Sequence, residues 1–280
     1  MKRIEYVIIF MENEIVNNIN LKDFPEHKPR NRIKLSYKWI DTNVENLLDG
    51  GCSFGYGTRF LAEKSKNTYG IDVNKVHIAV ASLRYKNIDF RFGALEKTDY
   101  ESNFFDLVNL NDVLEHTNDK IQTLNEMYRV LKKGGEIIIS TPHKGLFAFM
   151  DPYNYGYYLR RFFPGFYKFI YKLVRLVKEG KIPEEFNPEH TQKHEHYSLR
   201  DFINMLQQSS FRDGYSIEKV FRSGLLIEVL IMNIESILNI FLPQRISRMI
   251  LKPFSWLGDV DYLIPYGILS YNIAIKVRKL

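Results

Sequence analysis

Apolar residues follow two different spacings along this chain, and the two spacings alternate between about residues 33 and 142. Short continuous runs, such as Ile137-Ile138-Ile139, predict strands that are buried on both faces. Segments with apolar residues three or four positions apart, such as 118–131, predict helices with one buried face. Because the strands alternate with helices, the pattern predicts an α/β fold built on a mostly parallel sheet.

The limits of the predicted elements come from turn and capping residues. Glycine, proline and asparagine begin or end regular structure, and Ser198 is a residue type that caps helix N-termini. The predicted strands are about 46–49, 68–72, 88–92, 105–110, 136–141, 216–221 and 271–277, and the predicted helices include 33–40, 58–64, 118–131 and a segment that begins at Tyr197-Ser198.

A glycine-rich turn follows the first predicted strand, in Leu47-Leu48-Asp49-Gly50-Gly51-Cys52-Ser53-Phe54-Gly55. A strand-to-helix turn needs backbone conformations, and a close approach of a ligand, that a Cβ would obstruct. Amide groups at the start of the following helix favour a polar or anionic group. The dinucleotide fingerprint requires glycine at positions one, three and six, and neither Gly51 nor Gly55 starts such a register.

Three motifs together resemble the class I S-adenosylmethionine (SAM)-dependent methyltransferases. The turn is similar to that family's first motif, with Ser53 in place of the middle glycine. Residues 109–116, which end in Leu-Glu-His, are similar to its fourth strand, and 126–136 are similar to the helix and Gly-Gly turn before its fifth strand. The resemblance spans about 46–142. It implies SAM as the cofactor and a Rossmann-like, seven-stranded, mostly parallel sheet with an antiparallel seventh strand and helices on both faces.

The resemblance also implies a set of cofactor-binding residues. Asp72, at the tip of the second strand, would accept hydrogen bonds from ribose hydroxyls, although it could instead cap the helix that begins near Asn74. Asn111 would lie beside the methionine part of SAM. The acid that the family usually has near Ala94 is absent, so backbone groups and Leu95 would hold the adenine. The implied set is Asp49, Gly51, Cys52, Ser53, Gly55, Asp72, Val73, Ala94, Leu95 and Asn111.

Three histidines are candidate general bases, because imidazole titrates near neutral pH. His116 follows the fourth predicted strand, His143 follows the fifth, and His194 lies in a histidine-rich segment; each could instead be a structural residue. A metal site is not predicted. His190 and His194 would share one face of a helix, whereas His194 and His196 would share one face of a strand, and one conformation cannot satisfy both spacings.

The composition indicates a folded protein in a reducing cellular compartment. The chain has 280 residues, 45% hydrophobic content and a formal net charge of +6, which is typical of a folded protein. Its one cysteine, Cys52, excludes an intrachain disulfide and favours a reducing compartment. We expect Cys52 to pack within the turn, with a nucleophile as the alternative. Neither a signal-peptide pattern nor a run of about 20 apolar residues is present, so we expect a cytoplasmic protein whose membrane contact is at most peripheral.

The sequence predicts one methyltransferase domain with two insertions that form a lid over the carboxyl edge of the sheet. In related enzymes a leader helix packs over the cofactor, so Arg32 or Tyr37 would reach the SAM carboxylate, with plain surface groups as the alternative. The predicted parts are the whole domain 1–280, a leader 1–45, a cofactor-binding core 46–142, a helical lid insertion 143–197, and a C-terminal part 198–280 with an apolar insertion 223–269 before the last strand.

Two segments have patterns that bear on partners. Residues 160–181 contain seven basic residues and one acidic residue, and their helical apolar face is typical of a membrane-surface helix. A lid helix packed on the core is the alternative. Residues 225–242 are apolar almost throughout and need cover from the core, a second subunit or lipid, so a homodimer through this helix is one prediction. Nucleic acid is not expected, because no recognition motif accompanies the charge.

The resemblance implies methyl transfer from SAM to a small-molecule, glycan or lipid-linked acceptor. The two apolar segments favour a hydrophobic or lipid-linked one. The sulfonium already makes the methyl group electrophilic, so the protein mainly has to align donor and acceptor, and a base is needed only if the acceptor must lose a proton. A non-catalytic SAM-binding or scaffold protein is the alternative, and a NAD-dependent enzyme is disfavoured by the failed glycine spacing.

Overall fold

Seven strands form one sheet in the computed structural model of the chain, in the order β3-β2-β1-β4-β5-β7-β6. The structure describes residues 19–21, 31–41, 44–181, 193–224 and 227–280. The strands are β1 Val44–Gly50, β2 Ser65–Asp72, β3 Asp89–Phe92, β4 Phe105–Asn111, β5 Leu131–Pro142, β6 Tyr215–Ser223 and β7 Asn272–Lys279.

The first five strands run parallel, and β7 runs against its neighbours. Parallel ladders join β1 to β2, β1 to β4, β2 to β3 and β4 to β5. Lys279, at the end of β7, donates from Nζ to the Leu131 carbonyl at the start of β5 (2.7 Å), and the Leu280 amide donates to the Gly214 carbonyl just before β6 (3.1 Å). Since the end of β7 meets the starts of β5 and β6, it is antiparallel to both. The predicted α/β fold with a mostly parallel seven-stranded sheet is confirmed.

The central strands are buried on both faces of the sheet. Leu47 and Leu48 in β1, and Ile137, Ile138 and Ile139 in β5, are all 0% exposed. Successive side chains of a strand point to opposite faces, so both faces are covered. This burial accounts for the continuous apolar runs in the sequence.

Ten helices accompany the sheet within the described residues. Asn74 caps α3 by accepting from the Val76 and His77 amides (3.0 and 3.2 Å), and Asp119 caps α4 by accepting from the Gln122 amide (2.9 Å). The helices are α1 Asn31–Trp39, α2 Tyr56–Leu61, α3 Lys75–Arg84, α4 Lys120–Val130, α5 Pro152–Phe162, α6 Pro164–Glu179, α7 Leu199–Gln208, α8 Ile227–Phe241, α9 Gln244–Leu251 and α10 Ser255–Asp261.

The start of β5 differs from the prediction. The Lys-Lys-Gly-Gly segment was expected to end a helix, with the strand beginning at Glu136, but β5 already begins at Leu131. Leu131 pairs with Phe105, and the next pair is Glu136 with Leu107, so the ladder has an irregularity between them. The extra residues bulge out of the ladder, and Gly134 there has a φ of 78°. The glycines therefore serve a bulge within the strand.

The chain divides into two compact units. The first unit consists of Met1–Thr141, Leu199–Val220 and Ala274–Leu280, and the second consists of Pro142–Ser198 and Phe221–Ile273. Both predicted insertions, 143–197 and 223–269, lie within the second unit. Most of the predicted leader 1–45, and also His190, Leu225 and Leu226, lie outside the described residues.

Helix α8 is the centre of the second unit. It contacts α5, α6, α9 and α10, so part of its apolar surface is covered within the same unit. The Asn233 side chain on α8 donates to the Met150 carbonyl (3.0 Å), which ties α8 to the turn before α5. None of the described helices has both the length and the apolar character needed to cross a bilayer.

Candidate functional site

The glycine-rich turn joins the end of β1 to α2 through three residues in the left-handed region. The φ angles are 69° at Gly51, 49° at Ser53 and 75° at Gly55. The Gly51 and Cys52 amides both donate to the Ile71 carbonyl of β2, at 2.8 and 3.1 Å. Glycine is favoured at such angles because a Cβ is strained there, and Ser53 accepts that strain.

Two glycines let neighbouring segments close around the turn. A Cβ at Gly51 would lie 2.3 Å from Cγ2 of Val113, just after β4, and a Cβ at Gly57 would lie 2.7 Å from Cδ1 of Ile33 on α1. Both distances are far shorter than the roughly 3.5–4.0 Å of a normal carbon contact. The positions must therefore lack a side chain for Val113 and Ile33 to pack where they do.

Asp49 anchors the turn from beneath. Its carboxylate accepts from the Thr58 hydroxyl (2.6 Å) at the start of α2 and from the Asn109 amide (2.7 Å) in β4. Burial raises the pKa of Asp49 to about 6, and the two hydrogen bonds oppose that shift. Asp49 thus links β1 to β4 and α2. The hydrogen bonds to Thr58 and Asn109 account for this buried carboxylate, so no ligand is needed to explain it.

Asp72 holds the other side of the turn. Its Oδ2 accepts from the Ser53 amide (2.9 Å) and its Oδ1 from the Asn74 amide (2.8 Å), while 13% of its side chain is exposed. Each carboxylate oxygen has further lone pairs, so two hydroxyl groups could still donate to it. Asn74, and not Asp72, supplies the side-chain cap of α3. The Ser53 hydroxyl lies 3.2 Å from His77 Nδ1, a contact that offsets part of the strain at Ser53.

A cleft of about 180 Å³ lies between the turn, α1, α2 and the ends of β1 and β4. This volume is below the roughly 300–1,000 Å³ of small-molecule sites, so a nucleoside-sized ligand would have to extend beyond it. The cleft is lined by Ile33, Asp49, Gly51, Cys52, Ser53, Phe54, Tyr56, Gly57, Leu61, Asn109 and Asn111.

Two buried polar atoms of the cleft residues lack a hydrogen-bond partner among the described residues: Oδ1 of Asn109 and Nδ2 of Asn111. The orientation of each amide follows from its other atom. Nδ2 of Asn109 donates to Asp49, and Oδ1 of Asn111 accepts from Ser36 (3.1 Å) and Ser140 (2.8 Å). Oδ1 of Asn109 is therefore an unused acceptor and Nδ2 of Asn111 an unused donor. The acceptor suits the ammonium, and the donor the carboxylate, of an amino-acid group.

The structure places only half of the predicted cofactor-binding residues in the cleft. Asp49, Gly51, Cys52, Ser53 and Asn111 line the cleft, whereas Gly55, Asp72, Val73, Ala94 and Leu95 are not among its lining residues. Val73 and Ala94 are exposed beside the ends of β2 and β3, and the buried side chain of Leu95 packs toward Gly50. Burial raises the pKa of the Cys52 thiol, so Cys52 fits a packing role better than a nucleophile.

The sequence interpretation missed Glu115, which the structure marks more strongly than the histidine beside it. Glu115 is 6% exposed, and neither carboxylate oxygen has a hydrogen-bond partner among the described residues. Burial, and then the charge of Asp112, raise the pKa of Glu115 to about 8. Such an acid can exchange a proton near neutral pH. The signal in the sequence was the Leu-Glu-His motif itself, but burial of the glutamate could not be read from it.

The residues proposed to reach the SAM carboxylate have protein partners. Arg32 on α1 forms an ion pair with Asp112 just after β4 (2.5 Å). The Tyr37 hydroxyl donates to Glu63 (3.1 Å). Arg32 therefore ties α1 to the segment that carries Glu115.

The three candidate histidines differ in their surroundings. His116 is exposed. His143 is 5% exposed, and its Nδ1 lies 2.8 Å from the Ser270 hydroxyl and 3.1 Å from the Ser270 carbonyl. Burial lowers the pKa of His143, which favours the neutral form of its imidazole. His194 contacts the buried carboxylate of Asp151 at 2.7 Å.

The methyltransferase domain family matches residues 48–139 of the chain, a span that holds the turn, Asp72 and Glu115. Residues 48–139 are therefore similar to a methyltransferase domain. The chain is similar, at 32% identity over 103 residues, to a protein of Mycolicibacterium smegmatis assigned to the SAM-dependent methyltransferases, with 37% of this chain and 40% of that protein covered. A ubiquinone biosynthesis O-methyltransferase of Pseudomonas aeruginosa is 30% identical over 135 residues, covering 45% of this chain and 58% of the enzyme.

The chain thus spans 40% to 58% of the length of these two methyltransferase relatives. Solved structures share the fold over most of the chain. The [4+2]-cyclase SpnF superposes with a TM-score of 0.55 at 16% identity, covering 88% of this chain and 80% of SpnF. A candidate methyltransferase of Bacillus halodurans gives 0.51 at 16% identity, covering 89% of this chain and 98% of that protein. At such identities the likeness establishes the fold alone, since one fold hosts several chemistries.

Proposed function

We propose that this chain transfers the methyl group of SAM to a small-molecule acceptor, and that the acceptor is hydrophobic or lipid-linked. The observation that carries the first part is the methyltransferase domain together with the leftover donor and acceptor of Asn111 and Asn109 in the cleft. The glycan acceptor that the resemblance also allows has less support, because most of the exposed large hydrophobic side chains belong to the second unit.

The residues present fit SAM. The backbone of Gly51 to Gly55 would face the ligand, Asn109 and Asn111 would bind its amino-acid end, and Asp72 would accept from the ribose hydroxyls. Val73, Ala94 and Leu95, beside the ends of β2 and β3, would hold the adenine through apolar contact and backbone groups, since the family's usual acid is absent there. Cys52 and Asp49 would support the turn from the protein side.

Bound SAM supplies an electrophilic methyl group, and the chain's part is to hold the acceptor in line with it. An acceptor hydroxyl must also lose a proton, and the carboxylate form of Glu115 would accept it: the raised pKa of about 8 makes this form a minor one at neutral pH but a stronger base than an ordinary carboxylate. His116, His143 and His194 stay as the other candidates. Burial favours the neutral form of His143, which could accept a proton, while its contacts to Ser270 restrict Nδ1.

The test is calorimetric titration with SAM and S-adenosylhomocysteine. We expect micromolar binding that is lost in Asp72→Ala, because the carboxylate holds both the ribose and the Ser53 amide. Asp213→Ala removes an exposed acid of the same unit and is the matched control. Absence of heat with both ligands, in folded protein free of carried-over cofactor, would overturn the proposal and favour a non-catalytic scaffold.

The distribution of exposed apolar side chains supports a lipid-linked acceptor. Most exposed large hydrophobic side chains of the described residues, 23 of 29, belong to the second unit. On α6 they recur on one helical face, and on α8 they form a second stripe with the spacing of one face. The exposed residues on α6, called the α6 face below, are Phe166, Phe169, Leu173, Leu176 and Val177. The exposed residues on α8, the α8 stripe, are Leu230, Ile234, Ile237 and Phe241. The exposed large hydrophobic residues of the first unit are Leu21, Val73, Val76, Phe92, Val220 and Leu280.

Charge decides which occupant we assign to the α6 face. Seven basic residues and one acidic residue lie between 160 and 181, and Lys168, Lys172 and Arg175 are interleaved with the apolar positions of α6. A second copy of the chain would bring like charges together, whereas an anionic lipid surface attracts each basic residue by about 1 kcal/mol. We therefore assign the α6 face to an anionic membrane surface, which makes the protein a cytoplasmic, peripheral membrane enzyme.

Vesicle flotation tests this assignment. We expect binding to vesicles with anionic lipid, weakened by high salt, and little binding to neutral vesicles. Phe166→Ser with Phe169→Ser removes two side chains that are 55% and 60% exposed, and about 1 kcal/mol from each lowers vesicle affinity about 10- to 100-fold. Phe92→Ser, at 54% exposure in the first unit, is the control. Equal flotation of all variants, or dimerisation in place of vesicle binding, would contradict the lipid assignment.

A further inference from the structure

Two histidines of the second unit converge on one buried carboxylate. Asp151 ends the short helical turn before α5 and is 0% exposed. His194 Nδ1 and His196 Nε2 each lie 2.7 Å from Oδ2 of Asp151. The three ligand atoms lie within 4.8 Å of one another. The functional proposal above uses neither Asp151 nor His196.

The surrounding residues hold this cluster in place. Oδ1 of Asn154 accepts from the His194 amide (2.8 Å), and its Nδ2 donates to the His194 carbonyl (3.0 Å), so one side chain fixes the backbone of the histidine segment. The His196 ring meets the ring of Tyr271 edge-on, with centroids 5.9 Å apart. Ligands that are held by their neighbours in this way are pre-organised for a bound ion.

We propose that Asp151, His194 and His196 bind a divalent transition-metal ion, with zinc the best match. Two imidazole nitrogens and one carboxylate oxygen form a ligand set that zinc uses in sites with an open fourth position. Magnesium and calcium take oxygen ligands, so they fit this set poorly. The fourth position would hold a water molecule or a hydroxyl group of a ligand.

The required movement is small. Ligand atoms about 2.0–2.2 Å from a tetrahedral ion lie about 3.3 Å apart. The N···O distances of 2.7 Å would therefore lengthen by about 0.6 Å, within the reach of small side-chain rotations. To bind the ion, each histidine would carry its proton on the other ring nitrogen, so that Nδ1 of His194 and Nε2 of His196 present lone pairs.

The histidine spacings in the sequence do not reveal this ligand set. The spacings compared His190, His194 and His196, of which only His194 and His196 lie among the described residues, in a segment outside any helix. The third ligand is Asp151, 43 residues before His194 in the chain. A carboxylate at that separation cannot be recognised as a ligand before the chain is folded.

Zinc binding by the full chain tests the site directly. We expect one zinc per chain by elemental analysis after dialysis against Zn²⁺ alone, and calorimetric binding of Zn²⁺ but not of Mg²⁺. Asp151→Asn and His196→Gln should each weaken Zn²⁺ binding at least 10-fold, in line with the loss of one of three ligands. His77→Gln removes an imidazole from the first unit and should leave the stoichiometry unchanged.

Cobalt gives an independent readout. Co²⁺ in the wild-type chain should show the visible absorption of a tetrahedral ion, and this band should be absent in Asp151→Asn that is folded by circular dichroism. Less than stoichiometric zinc in the wild type, or equal zinc in all variants, would overturn the site and leave a purely hydrogen-bonded cluster. The outcome is independent of SAM binding, because no measurement here uses SAM.

Discussion

Replacing Gly51 by alanine isolates the steric demand of the turn. Gly51 and Gly134 have similar left-handed φ angles, 69° and 78°. A Cβ at Gly51 would lie 2.3 Å from Val113 Cγ2, whereas a Cβ at Gly134 would have nothing within 4 Å. The two alanine variants therefore share the backbone strain and the loss of unfolded-state entropy, and differ only in the clash.

The magnitudes follow from this difference. Left-handed alanine costs about 1–2 kcal/mol relative to glycine, which is the whole effect expected for Gly134→Ala. Overpacking against Val113 adds about 1–3 kcal/mol, so Gly51→Ala should lose about 2–5 kcal/mol of unfolding free energy. The extra truncation Val113→Ala makes room for the new Cβ, and the double variant should recover about 1 kcal/mol or more relative to additivity.

Urea unfolding followed by circular dichroism measures these differences, because the midpoint shifts while the slope stays constant. SAM titration of the same proteins measures whether the turn still supports cofactor binding. We expect the affinity for SAM to fall in Gly51→Ala and to persist in Gly134→Ala. Equal destabilisation by the two alanines, or a fully additive double variant, would refute the packing argument for the turn.

Three further predictions concern Glu115, Ser53 and Asn74. Because the pKa of Glu115 is raised to about 8 from an ordinary 4.5, the folded state keeps a proton that the unfolded state has lost. Between pH 6 and 8, above the pKa of about 6 of Asp49, the free energy of unfolding should fall with rising pH by up to about 1.4 kcal/mol per pH unit more in the wild type than in Glu115→Gln, as measured by urea titrations. Ser53→Gly should be about 1 kcal/mol more stable than Ser53→Ala in thermal unfolding, because both lose the contact to His77 but only glycine relieves a φ of 49°; equal Tm values would argue against strain. Asn74→Ala should lower the free energy of unfolding by about 1 kcal/mol through loss of the α3 cap, and an unchanged urea midpoint would show the cap to be dispensable.

The order of elements and the cofactor turn were accessible from the sequence, since both depend on local chemistry. Continuous isoleucine in 137–139 indicates a strand buried on both faces, and glycine at 51 and 55 indicates positive φ, wherever the rest of the chain lies. Asp72 could be placed near the turn because parallel strands end at the same edge of a sheet. The predicted start of β5 at Glu136 was wrong. The strand begins at Leu131 because Leu131 pairs with Phe105, and this pairing depends on the neighbouring strand.

Only the tertiary structure decided the contacts between residues far apart in the chain. The orphaned amide atoms of Asn109 and Asn111, the burial of Glu115, and the meeting of Asp151 with His194 all arise from segments that are separated along the sequence and brought together by packing. Periodicity reports which face of one element is apolar, but it carries no information on which side chain of another element lies against it. The sequence determined the type of domain, and folding determined which of its polar groups were left without a partner.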